Sequence, residues 1–174
     1  MSRVYISILM LFVLVMEGTI FQFLNPVMMN QDTLTVPRFL IVLLVFIGIH
    51  IGRSASIPYG LCFGLLYDVV YTPILGVYLF GFGIIGYMFA LSHKRIQDSI
   101  VFQIFLALIA VFLFECYQYG LFQLIGITDM ESSFFWQTRV IPTILLNGAF
   151  AILAYYPVKK LLSYVKLQAS LRER

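Results

Sequence analysis

Apolar residues in this chain run in long blocks, separated by short breaks that carry prolines or charges. Six blocks read as membrane-spanning helices: residues 4–24, 34–52, 57–71, 74–91, 100–125 and 140–156. A helix rises 1.5 Å per residue, so about 20 apolar residues cross a hydrocarbon layer of roughly 30 Å. The first and fifth blocks reach that length. The second, third and fourth fall short, and residues 57–91 fit either two spans or a re-entrant hairpin whose backbone is covered by protein. Asn25-Pro26, Val36-Pro37-Arg38 and Thr72-Pro73 mark the breaks, and Trp136, Tyr155 and Tyr156 fall where amphipathic rings favour the membrane interface. Ser2 and Arg3 before an apolar run imitate a secretory signal. No small-x-small cleavage site follows and the run continues past Glu17 to Leu24, which predicts a retained first helix.

Composition agrees with the pattern. The 174 residues are 61% apolar and 11% charged, against roughly 25% charged in an ordinary soluble domain, so there is no polar shell to face water. The expectation is a single integral membrane domain over residues 1–174, an all-α membrane protein built as a six-transmembrane-helix bundle. It leaves no room for a soluble catalytic domain. No histidine stands beside a nucleophile, no glycine-rich phosphate loop occurs, and no metal-ligand spacing is present. The reading is therefore of a protein that is not an enzyme, with no cofactor, no metal and no nucleic-acid partner. Cys62 and Cys116 read as small core residues, and His50 and His93 as interfacial residues at helix ends.

Charge sets an orientation. Nine of the eleven basic residues (Arg3, Arg53, Lys94, Arg95, Lys159, Lys160, Lys166, Arg172 and Arg174) fall on the side shared by both termini. Arg38 and Arg139 fall on the other, with Asp32, Asp129 and Glu131. The positive-inside rule then puts both termini in the cytoplasm of a multi-pass protein. The tail from residue 158 places Val158, Leu161, Leu162, Val165 and Ala169 on one helical face, which suits either an anionic-lipid contact along the inner leaflet or an extension of the last span.

Three carboxylates fall inside apolar blocks: Glu17, Asp68 and Glu115. An acid at mid-bilayer costs at least about 2.5–3.5 kcal/mol, so each is expected to face other helices. All three lie roughly 17–23 Å from the cytoplasmic ends of their blocks. One outward-opening polar cavity is expected to hold them, with Arg139 and Arg38 as basic partners; hydrogen bonds to tyrosines, Gln118 or Asn147 as interhelical glue are the alternative. Small residues form a second pattern. Gly60, Gly64 and Asp68 share a stripe on the third block, and Gly76, Gly83, Gly86 and Ala90 lie along the fourth, spacings that suit close helix packing within the chain, a partner helix, or self-association into a homo-oligomer.

The stretch from Tyr59 to Leu91, YGLCFGLLYDVVYTPILGVYLFGFGIIGYMFAL, resembles the core of the MreD family of bacterial rod shape-determining membrane proteins, in its Gram-positive, Bacillus-like form. Residues 36–40 (VPRFL) and 139–147 (RVIPTILLN) extend the resemblance over nearly the whole chain. It implies a non-enzymatic component of the cell-elongation machinery in the bacterial cytoplasmic membrane. The implied partner is MreC, a bitopic protein with one membrane helix, and through it MreB, RodA and the penicillin-binding proteins of lateral peptidoglycan synthesis. The family is also remotely similar to the six-helix substrate-binding subunits of energy-coupling-factor transporters, so a small-solute (vitamin-type) binding subunit is the alternative expectation. In that case Glu17, Asp68 and Glu115 would face the ligand.

Overall fold

A computed structural model describes residues 2–23, 34–128 and 131–172. Leu24, the Asn25-Pro26 break, Asp32, Asp129 and Arg174 lie outside the described residues, as do the side chains of Arg3, Ala169 and Arg172. The described part is all helical: α1 (Ser2–Phe23), α2 (Phe39–His50), α3 (Arg53–Tyr71), α4 (Val77–Met88), a short α5 (Lys94–Asp98), α6 (Ile100–Leu124), and α7 (Ser132–Phe135), which passes through a π-helical turn at Trp136–Val140 into α8 (Ile141–Arg172). Three helical stretches among the described residues, Val4–Phe23, Ile100–Leu124 and Ser132–Gln168, are long and apolar enough to cross a membrane.

The outward faces of these helices are apolar as well as the inward ones. On α1, Ile6, Met10, Val13 and Leu14 are buried, while Val4, Ile8, Leu11, Phe12 and Val15 are exposed. Each set repeats at helical spacing, so one helix carries two apolar stripes, one for the core and one for lipid. α6 and α8 do the same through Val101, Phe105, Leu145, Ile152 and Leu153. Cys62 sits on such an outward face and Cys116 is half-buried, so neither is the core residue expected. Tyr155 departs in the other direction: it is buried with its ring edge-on to Phe46, at 6.1 Å between centroids, while its neighbour Tyr156 stays exposed.

The centre of the bundle is α2. All twelve of its residues are buried, and α1, α3, α4, α6 and α8 all pack around it. A helix that is apolar all round has no face for water, which is why it takes the middle. At 1.5 Å per residue it is only about 18 Å long. The start of the expected second block, Leu34 to Arg38, is not helical. Pro37 accounts for this, since a proline disfavours helix at the residue before it.

A non-helical strap inside an apolar bundle exposes backbone groups that need partners. α8 and the turn before it supply them. Leu34 donates its N–H to the Thr138 carbonyl at 2.7 Å, and Val36 donates to the Thr143 hydroxyl at 3.0 Å. The Asn147 amide accepts from Arg38 N–H at 2.7 Å and donates to the Val36 carbonyl at 3.1 Å. Pro37 has no N–H to satisfy.

α3 and α4 form the tightest helix pair. A Cβ at Gly64 would stand 2.5 Å from the Tyr78 carbonyl oxygen and 2.8 Å from Leu79 Cα; at Gly60 it would stand 2.6 Å from the Phe82 carbonyl, and at Gly86 2.8 Å from that of Ser56. These glycines let two backbones touch. Gly83 meets only the tip of Leu61, and Gly76 lies ahead of α4 with φ +107°, a left-handed conformation that favours glycine. The tail is not a separate element: α8 continues through Pro157, and Val158, Leu162 and Val165 are buried in the core. Of the two placements open to it, the extension of the last helix is the one found.

Two predictions follow from the clamp and the hairpin. Asn147→Leu leaves Val36 O and Arg38 N–H without partners and is expected to lower stability by roughly 2–4 kcal/mol, with Thr143→Val lowering it by roughly 1–2 kcal/mol; detergent-solubilised protein of wild-type Tm in both variants would refute the clamp. Gly64→Ala is expected to lower Tm clearly through backbone overlap, by roughly 1–3 kcal/mol. Gly83→Ala should be nearly silent because a flexible leucine tip gives way, and equal effects at the two sites would contradict this packing.

Candidate functional site

The strap delivers Arg38 to the first turn of α2, where its side chain is 1% exposed. A buried guanidinium needs both a counter-charge and acceptors for its N–H groups. Its Nε donates to Glu115 Oε1 at 2.6 Å, its Nη1 to the Tyr78 hydroxyl at 2.5 Å, and its Nη2 to Gln118 Oε1. Phe114 and Tyr78 flank it with ring centroids at 4.9 and 5.2 Å, in cation–π range. Glu115 and Gln118 lie three residues apart on α6 and so share one face of that helix.

Arg139, in the π-helical turn, approaches the same pair from the other side. Its Nε donates to Glu115 Oε2 at 2.7 Å and its Nη2 to Gln118 Oε1 at 2.8 Å. Glu115 thus bridges two guanidiniums, one oxygen each. The trio carries one net positive charge.

The other two acids have different roles. Glu17 on α1 accepts the N–H of Leu40 at 3.0 Å, in the first turn of α2. Asp68 on α3 accepts from Gly76, Tyr78 and Leu79 N–H at 2.8, 2.9 and 2.9 Å, which caps α4 from a neighbouring helix. Helix N-termini present unpaired N–H groups and the positive end of the helix dipole, so a carboxylate there is stabilised twice over. Glu115, Arg139 and Asp68 are connected through Arg38 and Tyr78, whereas Glu17 is joined to the start of α2. They do not share a cavity: Glu17, Asp68 and Glu115 stand behind its walls.

That cavity measures about 280 Å3 and opens at the end of the bundle where α1, α3 and α6 finish. Its surface comes from Arg38, Arg139, Gln118, Tyr67, Tyr71 and Tyr78, among others. Tyr67 stacks on Tyr78 with centroids 4.1 Å apart, so the wall is largely aromatic. Gln118 and Asn147, expected as partners of the acids, instead serve the arginines and the strap. The signals for these roles lie in the chain: Val-Pro-Arg opening an apolar block, and Thr143 and Asn147 four residues apart on an otherwise apolar helix.

The helices that carry this network all fall within a stretch that matches known proteins. A family model described as rod shape-determining protein MreD matches residues 2–165. The chain is 34% identical over 173 residues to the rod shape-determining protein MreD of Bacillus subtilis, covering 99% of each chain. It is 26% identical over 152 residues to the cell shape-determining protein MreD of Streptococcus pneumoniae, covering 84% of this chain and 88% of that one. No solved structure matches. The match runs through every helix that builds the strap, the clamp and the arginine pair, and the chain belongs to the MreD family of rod shape-determining proteins.

Proposed function

We propose that this protein is a non-enzymatic membrane component of the bacterial cell-elongation complex that binds the membrane helix of MreC and so helps set rod shape during lateral peptidoglycan synthesis. The observation that carries the reading is the full-length likeness to a rod shape-determining relative. The distribution of polarity supports it. The buried charges are engaged by other parts of the same chain, and what faces outward from α1, α4, α6 and the first half of α8 is mostly apolar side chain, the surface another membrane helix recognises. Association with MreB, RodA and penicillin-binding proteins follows through MreC in this reading. The alternative, a small-solute transport subunit, rested on three carboxylates facing a ligand; their engagement with backbone N–H groups and arginines weighs against it.

In the same proposal the chain crosses the membrane six times. The strap adds length to α2, which alone is too short for a span. The Tyr5 and Tyr164 rings meet at 6.4 Å, which supports a common side for the two chain ends, and the basic residues gathered there make it the cytoplasmic side.

Affinity purification from mild detergent is expected to bring MreC along in stoichiometric amount, and depletion is expected to round the cells. Absence of MreC from the eluate together with normal rods after deletion would overturn the proposal. A reporter fused after Arg174 is expected to work only in a cytoplasm-dependent form, and activity of an export-dependent reporter at that position would reverse the orientation.

A further inference from the structure

The cavity beside the arginine pair has a chemistry that the family likeness does not assign. Arg38, Arg139 and Gln118 line it, and most of the rest of its wall is aromatic or apolar, through Tyr67, Tyr71 and Phe122 among others. Its volume of about 280 Å3 exceeds that of several waters at roughly 30 Å3 each, so it admits an oxyanion with part of the group attached to it.

The charge count asks for such a group. Two guanidiniums share the single carboxylate of Glu115, which leaves one positive charge in surroundings where an uncompensated ion is costly. Among the described residues, no acid lines the cavity. Glu17 is bonded to α2 and Asp68 to α4, and neither lines it. The two arginines also differ in reach. Arg38 is 1% exposed and engages all three of its nitrogens. Arg139 is 16% exposed, and among the described residues its Nη1 has no acceptor. A guanidinium with a free edge turned toward an aromatic pocket matches a phosphate, which accepts two parallel N–H bonds.

We propose that this cavity binds a phosphate-bearing ligand, with the oxyanion held by Arg139 and its charge supported by Arg38 behind it. The same chemistry is offered by free phosphate and by the headgroup of an anionic phospholipid. The aromatic wall suits the apolar remainder of the second. This site is distinct from the basic tail, and it stands whether or not MreC is the partner.

The test uses the full chain, delipidated in mild detergent, with binding of phosphatidylglycerol, phosphatidylcholine and inorganic phosphate followed by native mass spectrometry. Wild type is expected to retain one phosphatidylglycerol in preference to phosphatidylcholine. Arg139→Gln should weaken that binding by about tenfold or more, and Arg53→Gln, whose guanidinium lies over the Tyr87 ring away from the cavity, should leave it unchanged. Arg139→Lys keeps the charge needed for folding but loses the fork, so it too should bind more weakly, and it decides the matter if Arg139→Gln fails to fold. Displacement of the lipid by inorganic phosphate would support the site and assign the recognition to the oxyanion alone; persistence of the lipid would support it and assign recognition to the whole headgroup. Equal retention in wild type and both Arg139 variants, equal binding of the two lipids, loss of binding in Arg53→Gln, or no binding to wild type would each overturn the proposal.

Discussion

The structure depends on one requirement: a stretch of backbone that is not helical, in surroundings with almost no water, must have its N–H and C=O groups met by the protein itself. Residues 34–38 are that stretch, and Thr138, Thr143 and Asn147 meet three of its N–H groups and the Val36 carbonyl. The consequences spread outward. Because the strap is held, α2 begins at Phe39 and fits the centre of the bundle as a short apolar plug. Because α2 begins there, Arg38 enters the interior at a helix start, and the positive charge it brings determines where Glu115, Gln118 and Tyr78 must stand.

Buried acids in this protein act as fittings between helices. Glu17 and Asp68 each close the open N-terminus of a helix that is not their own, and Glu115 holds two arginines in one place. Short helices are costly in a membrane because their ends fall within the bundle, where no water reaches the unpaired N–H groups. α2 and α4 are the two short central helices, and each has a carboxylate from a neighbour at its start. Removing such charges from the outer surface leaves a lateral face suited to contact with lipid or another helix.

Much of this was legible in the residues. The apolar blocks identified α1 and α6 closely, the Gly60–Gly64–Asp68 spacing marked the face that α4 packs on, and the three motif stretches pointed to the family. Block length could not separate a helix from a strap followed by a helix, since residues 34–52 are largely apolar and only Pro37 with Arg38 marks the change. The last helix continues through Pro157, since a proline removes one hydrogen bond and a buried face of Val158, Leu162 and Val165 outweighs that loss. The partners of the buried acids stand far along the chain, 77 residues away for Arg38 and Glu115. Spacing along one helix carries no information about such a distant partner. The VPRFL and RVIPTILLN stretches, read separately, are the two halves of one clamp.

The last helix joins distant regions of the molecule. One uninterrupted helical path runs from Ser132 to Gln168, holding Arg139 and the strap near one end and the lysine-rich segment near the other. A rod of this length has few soft points, the most obvious being at Leu153, whose carbonyl Pro157 cannot serve. The grip on the strap, Arg139 and the lysine-rich segment are therefore carried by one rigid element, so that a displacement of either end is passed to the other without any moving loop.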